Sequence, residues 1–396
     1  MLKINFIPLA IASASFATVA IIYGCYANFV LRNRKINDYV ELVNQAMSER
    51  PNSGDLPIVT VIVPAYNEEN SIPMKFSNLA EMTYPLEKVE VLVLDDCSTD
   101  RTCEIAEGLL KKLRLNGEVL RNTHRMGPNA SYNVGVPRAK GSLILRTDAD
   151  VLIEADALTR AVQIMTRMEN VDGITGTMTT VKERATGATG LEENYRGLFD
   201  QMSTAESALY STFCGGGGFA LLRKSSFSPI PIGRGSTDAN ISLSIIRKGF
   251  KYVYVPCVFS CETITHRLGE QMRQKVRRAS RLLQSTIMNK DILFKREYKE
   301  FGTTIFPLRF AMLLLCPSLV LVGMLSTLVL LSSCSIAITV LLTFGFCAFL
   351  IAGSKVNFKS VNFVASFLFH QLYLILGLIF LGRNRSVWKS VKRTNS

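Results

Sequence analysis

Histidine, tryptophan and ordered cysteine motifs are all scarce in this chain. Of its 396 residues, three are histidine and one is tryptophan. The nine cysteines stand at positions 25, 97, 103, 214, 257, 261, 316, 334 and 347, with no C-x-x-C pair. Cys257 and Cys261 are four apart, but His124, His266 and His370 are too few and too scattered to complete a zinc ligand set. An odd number of irregularly spaced cysteines makes no disulfide framework and fits a reducing compartment. Those in the C-terminal apolar region read as small hydrophobes. No basic run is interleaved with aromatic residues, which argues against a nucleic-acid partner. Acid is also short: 32 Asp and Glu face 45 Lys and Arg, a net charge of +13. That balance points to anionic lipid or phosphate-bearing substrates.

Charge is missing altogether from the two ends. Ile4 to Leu31 holds no charged residue over 28 positions, more than the roughly 20 a bilayer span needs, and Arg32, Arg34 and Lys35 follow at once. This reads as a signal anchor with its C-terminal side in the cytoplasm. A cleaved signal peptide is the poorer reading, because the apolar stretch is too long and its start carries only Lys3. Ile22-Tyr23-Gly24-Cys25 is a poor lipoprotein cleavage site. Three further apolar runs lie at Phe310 to Ser333, Ser335 to Ser354 and Phe363 to Gly382. The first two abut as a tight hairpin. His370 and Gln371 sit inside the third, where polar groups usually face protein or a cavity. Four spans place residues 37 to about 302 inside and the tail outside, yet that tail (Arg383 to Arg393) carries five basic residues and by the positive-inside rule belongs inside. The expected layout is an anchor at 1–31, a cytoplasmic linker at 32–56 and a catalytic domain at 57–285. An amphipathic interfacial connector follows at 286–309, then two to three spans within 310–382 and a basic tail at 383–396. The expected location is the cell membrane, multi-pass, with a cytoplasmic catalytic domain.

The middle alternates short β-branched runs with helical patterns. Ile58 to Pro64, Val89 to Asp95 and Ser142 to Arg146 read as strands. Ser71–Met82, Arg101–Leu113 and Asn129–Ala139 read as helices. Such alternation predicts an α/β fold with a mostly parallel sheet covered on both faces, and ligands bind such sheets at the carboxyl ends of the strands. All three strand ends are acidic or polar. The first runs Pro64-Ala65-Tyr66-Asn67-Glu68-Glu69. The second runs Asp95-Asp96-Cys97-Ser98-Thr99-Asp100, where a carboxylate can accept from a base imide or a ribose hydroxyl, or cap the next helix. The third runs Thr147-Asp148-Ala149-Asp150. Carboxylates at i and i+2 on an extended segment point the same way and repel, which a hard dication such as Mg²⁺ or Mn²⁺ relieves. Such an ion also bridges diphosphate oxygens and neutralises a leaving group. Between the second and third ends, Arg125 and Asn129 could reach a diphosphate or sugar.

As an ordered set these motifs resemble the family 2 glycosyltransferases of GT-A fold. The matching residues are VPAYNEE (Val63 to Glu69), LDDCSTD (Leu94 to Asp100), NASYNVGVPRAKG (Asn129 to Gly141) and RTDADV (Arg146 to Val151). Gly215 to Arg223 resembles the family's glycine-rich acceptor-side strand, and Ser236 to Pro256 the segment carrying its base. The likeness covers roughly Ile58 to Leu283 and the flanking membrane layout. It implies that Ala65, Tyr66 and Glu68 line a nucleoside pocket, that Asp96 meets the base, commonly uracil, and that Asp148 touches the nucleotide. Asp150 would hold the metal, and Asp238 would be the general base in a displacement with inversion. Three departures stand out. Thr237 precedes Asp238 where the family often has Glu. Pro128 stands where a lysine usually follows the glycine, leaving Arg125 to supply the charge. Gln274-Lys275-Val276-Arg277 is followed by Arg278, not by the Trp of Q-x-x-R-W in polymerising members, so a stacking platform for a growing chain is missing. The cluster of Gln274, Arg277 and Arg278, with Arg273, Lys275 and Arg281, suits an acceptor or phosphate clamp near the membrane; a basic helix resting on lipid is the plainer alternative. The implied activity is transfer of one sugar from a nucleotide-diphosphate sugar to a lipid-linked or surface-glycan acceptor. The alternatives are a processive polysaccharide synthase and a catalytically silent nucleotide-binding subunit. The implied partners are the donor, the acceptor and membrane lipids, with a homo-oligomer as a way to widen a thin channel.

Overall fold

The computed structural model describes residues 6–48, 56–180, 187–213, 217–262, 268–353 and 359–382. Eight strands form one sheet: β1 (Val59–Ala65), β2 (Val89–Asp95), β3 (Asn116–Arg121), β4 (Leu143–Arg146), β5 (Val151–Ile153), β6 (Val171–Thr180), β7 (Ala220–Arg223) and β8 (Lys251–Glu262). Their order is β3-β2-β1-β4-β7-β6-β8-β5. β1 pairs in parallel with β2 and β4, β2 with β3, and β6 with β8, whereas β7 runs antiparallel to both β4 and β6. β5 also runs antiparallel to its neighbour β8, so β7 and β5 turn an otherwise parallel sheet into a mixed one.

Strand periodicity divides the core. Val59, Val61 and Val63 of β1 and Val91 and Val93 of β2 enter one hydrophobic cluster, while Ile62, Leu92 and Leu94 enter the other. Successive side chains on a strand point to opposite faces, so a run buried on both sides must be apolar throughout. The first face is covered by α2 (Lys35–Ser48), α3 (Ile72–Ala80), α4 (Thr102–Lys112) and α6 (Ala157–Arg167), with Phe76 and Leu79 of α3 completely buried. The second is covered by α5 (Pro128–Arg138), α8 (Thr237–Arg247) and α9 (Leu268–Met288), through Tyr132, Val136, Leu243 and Leu283. The three strands and three helices read from the sequence all form, with ends shifted by at most two residues.

The stretch expected as a linker contains α2, which docks on the sheet. Tyr39 donates from its hydroxyl to the Tyr254 carbonyl at 2.7 Å, and Arg167 donates to the Ala46 carbonyl. Two helical stretches, Phe6–Leu31 and Phe301–Cys334, are long and apolar enough to cross a membrane. The first comprises α1 (Phe6–Tyr26) and a π-helical turn to Leu31; the second passes through α10 (Phe306–Phe310) into α11 (Cys316–Cys334). α1 and α11 approach closely where Gly323 faces the Phe16 ring, whose nearest atom would lie 2.9 Å from a Cβ there. Extended backbone at Ser335 separates α11 from α12 (Ile336–Gly353). α13 (Lys359–Ile379) lies against α9, and its buried Gln371 donates to the Tyr23 hydroxyl at 3.0 Å. The basic tail lies outside the described residues.

The membrane-type helices are fixed to the sheet domain. In the expected connector, Phe301 and Phe306 are completely buried and pack edge-on to Phe213, with centroids 6.1 and 5.5 Å away. Glu206, on α7 (Gly187–Leu209), is fully buried. It accepts from the Tyr26 hydroxyl at 2.7 Å and the Thr212 hydroxyl at 2.6 Å, and pairs with Arg309 at 2.8 Å. One carboxylate thus joins both apolar helical stretches to the sheet domain.

Candidate active site

The ends of β1 and β2 are tied to each other. Asn67, at φ 54°, donates its N–H to Ser98 Oγ at 2.9 Å and accepts from the Thr99 N–H at 2.9 Å. The Glu68 N–H reaches Thr102 Oγ1 at 2.8 Å, and the Glu68 carboxylate accepts from the Ser71 hydroxyl at 2.7 Å. Ala65 closes β1 in the core, and its carbonyl accepts from the Asp96 N–H at 2.8 Å. Tyr66 carries the Arg125 guanidinium 3.5 Å above its ring. Nε and Nη2 of Arg125 are buried and, among the described residues, without a hydrogen-bond partner. A cation stacked on an aromatic face with spare donors is poised to meet an anion.

Asp96 and Asn129 organise this region from behind. The Asp96 carboxylate accepts from the N–H groups of Met126 and Gly127, each at 2.8 Å, and from the Asn122 amide at 3.0 Å. It therefore sets the loop that presents Arg125. Asn129 is buried and spends its amide on the segment before α8. It donates to the carbonyls of Pro231 (2.9 Å) and Arg234 (3.2 Å) and accepts from the Thr237 hydroxyl at 2.6 Å.

A second cluster forms where β4 ends. Asp148 and Asp150 lie on a turn closed by the Val151 N–H to the Asp148 carbonyl at 3.2 Å, not on the extended segment expected. The chain has to turn there because β5 does not continue β4 but stands at the far edge of the sheet, antiparallel to β8. Lys75 of α3 braces that turn from beneath. It is completely buried and donates to Thr147 Oγ1 at 2.8 Å and the Val151 carbonyl at 2.7 Å. Burial pushes its pKa down to about 7, against the pull of Asp148 and Asp150. Asp238 stands in the first turn of α8 and pairs with the buried Arg146, which also donates to the Gly217 carbonyl. Gly217 needs its φ of 80° to turn there. Burial opposes the charge on Arg146, but Asp238 and Asp148 hold it protonated. Burial, with Asp150 and Asp238 nearby, raises the Asp148 carboxyl to about 6, against the pull of Arg146 and Arg278. Asp148 in turn acts on Arg277.

The structure therefore gathers Asp148, Asp150 and Asp238 with Arg146, Arg277 and Arg278. Tyr66, Glu68 and Arg125 stand on the adjoining loops, and Asn129 supports the whole. Gln274 lies on α9 one turn before Arg277 and Arg278. Of the expected glycine-rich segment, Gly215 and Gly216 lie outside the described residues. Among the described residues, no three His, Cys, Asp or Glu side chains converge to enclose a metal. Asp148, whose ionisation the neighbouring Asp150 makes costlier, nevertheless fits with it a dication whose remaining ligands would come from a diphosphate and water. Sequence reasoning missed Arg146, Lys75, Tyr132 and Glu262. The first two carried a signal: a charged residue closing a buried strand, and a lysine on the apolar face of α3. Tyr132 is buried near Arg146, and Glu262 accepts from both Arg196 and Arg278.

Residues 60–230 match the family model described as Glycosyl transferase family 2. This segment is a family 2 glycosyltransferase domain. A poly(ribitol-phosphate) beta-N-acetylglucosaminyltransferase, TarS of Staphylococcus aureus, is 39% identical over 99 residues, 25% of this chain and 17% of that protein. An N-acetylglucosaminyltransferase of Azorhizobium caulinodans is 24% identical over 293 residues, 70% of this chain and 71% of the relative. Among solved structures, the mannosyltransferase PcManGT from Pyrobaculum calidifontis, in complex with GDP-Man and Mn²⁺, superposes with a TM-score of 0.73. It is 22% identical, with 95% of this chain and 99% of that one covered. The sheet domain thus has the GT-A fold, and two apolar helical stretches flank it. The match to TarS is local, spanning about a sixth of that protein's length.

Proposed function

We propose that the protein is an inverting glycosyltransferase using a nucleotide-diphosphate sugar, UDP-linked, and a lipid-linked or surface-glycan acceptor. The observation that carries this reading is the meeting of Asp238, Arg146 and the Asp148–Asp150 turn at the carboxyl end of β4, one strand from the Tyr66–Arg125 stack. On this reading Tyr66, Glu68 and Asp96 shape the nucleoside pocket, and Arg125 meets the diphosphate. Asp148 and Asp150 would hold a Mg²⁺ or Mn²⁺ ion, which when bound neutralises the departing diphosphate. Asp238, aimed by its pairing with Arg146, takes the proton of the acceptor hydroxyl as its oxygen attacks the anomeric carbon. One bond forms as the sugar–phosphate bond breaks, and the configuration inverts.

The two apolar helical stretches support a membrane setting. Arg32, Arg34 and Lys35 favour a cytoplasmic catalytic domain, the side on which nucleotide sugars are made. Arg278 in place of a stacking aromatic favours single transfer over polymerisation. The test is to incubate membranes carrying the protein with a panel of labelled nucleotide sugars, with and without lipid acceptors, and to size the products. Metal-dependent transfer of one residue supports the proposal; long products favour a synthase. No transfer from any donor, with nucleotide binding intact, favours a silent subunit.

A further inference from the structure

The segment that leads into Asp238 has little stiffness of its own. Gly233 and Gly235 both sit at positive φ, 70° and 71°, and glycine loses more backbone freedom on ordering than any other residue. Side chains of two helices hold this segment. From α9, Gln284 accepts from the Gly235 N–H at 2.9 Å, and Ser285 Oγ accepts from the Ser236 N–H at 2.9 Å. From α5, Asn133 accepts from the Ile230 N–H at 2.7 Å and donates to the Ile230 carbonyl at 2.8 Å. Asn129, one turn earlier on the same face of α5, reaches further along the chain. Its amide nitrogen serves the carbonyls of Pro231 and Arg234, and its oxygen takes the Thr237 hydroxyl, next to Asp238.

The bond between Asn129 and Thr237 is determined from both sides. Carbonyl groups only accept, so Asn129 turns its nitrogen to Pro231 and Arg234 and its oxygen to Thr237. That oxygen needs a donor; Thr237 supplies it at 2.6 Å, and both side chains are buried. The glutamate that often precedes the base in the family would bring an ionised carboxylate, which can only accept. Threonine at this place completes the bond. The other end of the connection is the donor-side loop. Asp96 holds the N–H groups of Met126 and Gly127, and α5 starts at Pro128, so Arg125 and Asn129 flank one fixed turn. Thr237 and Asp238 open α8 together. A continuous series of fixed groups therefore joins Arg125 to Asp238.

We propose that Thr237 and Asn129 are positioning residues, which keep the Asp238 carboxylate in register with the donor-side loop without touching substrate. That Asp238 is the base rests on the glycosyltransferase reading above. The test uses the purified full chain in detergent and the labelled nucleotide sugar that the unaltered protein transfers best; kcat and the donor KM are measured separately. Thr237→Val keeps the shape but removes the hydroxyl, and lowers kcat by roughly tenfold or more with the donor KM unchanged, because a displaced catalytic group slows the chemical step. Thr237→Ser, which keeps the hydroxyl, restores most of the rate. In an Asp238→Asn background Thr237→Val costs nothing further, since residues that act through one another do not multiply their effects. Asn129→Asp removes the two donated bonds from the α5 side and gives the same loss of kcat, which keeps the test decisive should Thr237→Val fail to fold by thermal melting. A folded Thr237→Val at full rate, beside an impaired Asp238→Asn, overturns the positioning role and leaves the base assignment standing. Costs that multiply in the double variant, or a loss confined to the donor KM, overturn it equally. Full transfer by Asp238→Asn, or no transfer from any donor, removes the base assignment and this inference with it.

Discussion

Replacing Arg146 by methionine separates structure from catalysis at the centre of the site. Its side chain is 5% exposed and that of Asp238 25%. Methionine fills similar volume but leaves Asp238 and Asp148 facing each other without the cation that balances them. Removing one partner of a buried pair costs about 3–5 kcal/mol, a large share of the roughly 5–15 kcal/mol that holds a domain together. At about 3 °C per kcal/mol for a domain of this size, the melting temperature should fall by about 10 °C or more. Asp238→Asn should cost less, because the amide oxygen still accepts from Arg146 and asparagine opens a helix as well as aspartate does. The double variant should melt above Arg146→Met alone, because the uncompensated carboxylate is gone. A double-mutant cycle followed by thermal melting in detergent reads the coupling, expected at roughly 1–3 kcal/mol. Strictly additive costs would refute the ion pair as the reason for Arg146.

Two further outcomes follow from buried charges. Glu206→Ala leaves Arg309 buried without its carboxylate and frees Tyr26 and Thr212, so it should destabilise by roughly 3–5 kcal/mol and loosen the junction between the helices and the sheet domain; limited proteolysis near 301–309 no faster than in the unaltered protein would contradict this. The raised Asp148 carboxyl means that the fold holds more protons than the unfolded chain between about pH 4 and 6. Metal-free stability should therefore fall as pH rises through that window, and Mn²⁺ should restore it above pH 6; a melting temperature flat across the window, with and without Mn²⁺, would count against the paired-carboxylate account.

What the sequence discloses follows the physics of each element. β1, β2 and β4 are legible because strands buried on both faces must be apolar throughout, and their acidic ends break that rule abruptly. β3 is not: Asn116–Arg121 is an exposed, polar edge strand whose place comes from pairing with β2. The docking of α2 is hidden for a similar reason, since only Tyr39, Val43 and Ala46 of its fourteen residues are buried. In the site, the acidic residues announce themselves at strand ends, whereas their supports do not. Lys75 and Arg146 serve as internal counter-charges, Lys75 to Asp148 and Asp150 and Arg146 chiefly to Asp238, partners more than seventy positions away in each case. Asn129 shows the converse: its motif position suggested a ligand contact, while its amide is spent on the segment before Asp238.

The central claim is that Asp238 acts as a base on an acceptor attacking a metal-bound nucleotide sugar. Transfer rate and donor affinity, measured side by side for the unaltered protein and Asp238→Asn, test it most directly. The account predicts that the variant binds the nucleotide sugar and Mn²⁺ as the parent does, melts within a few degrees of it, and transfers sugar roughly 10²-fold more slowly or worse. Near-normal transfer by Asp238→Asn would contradict it, and would leave Asp238 as a structural partner of Arg146 alone.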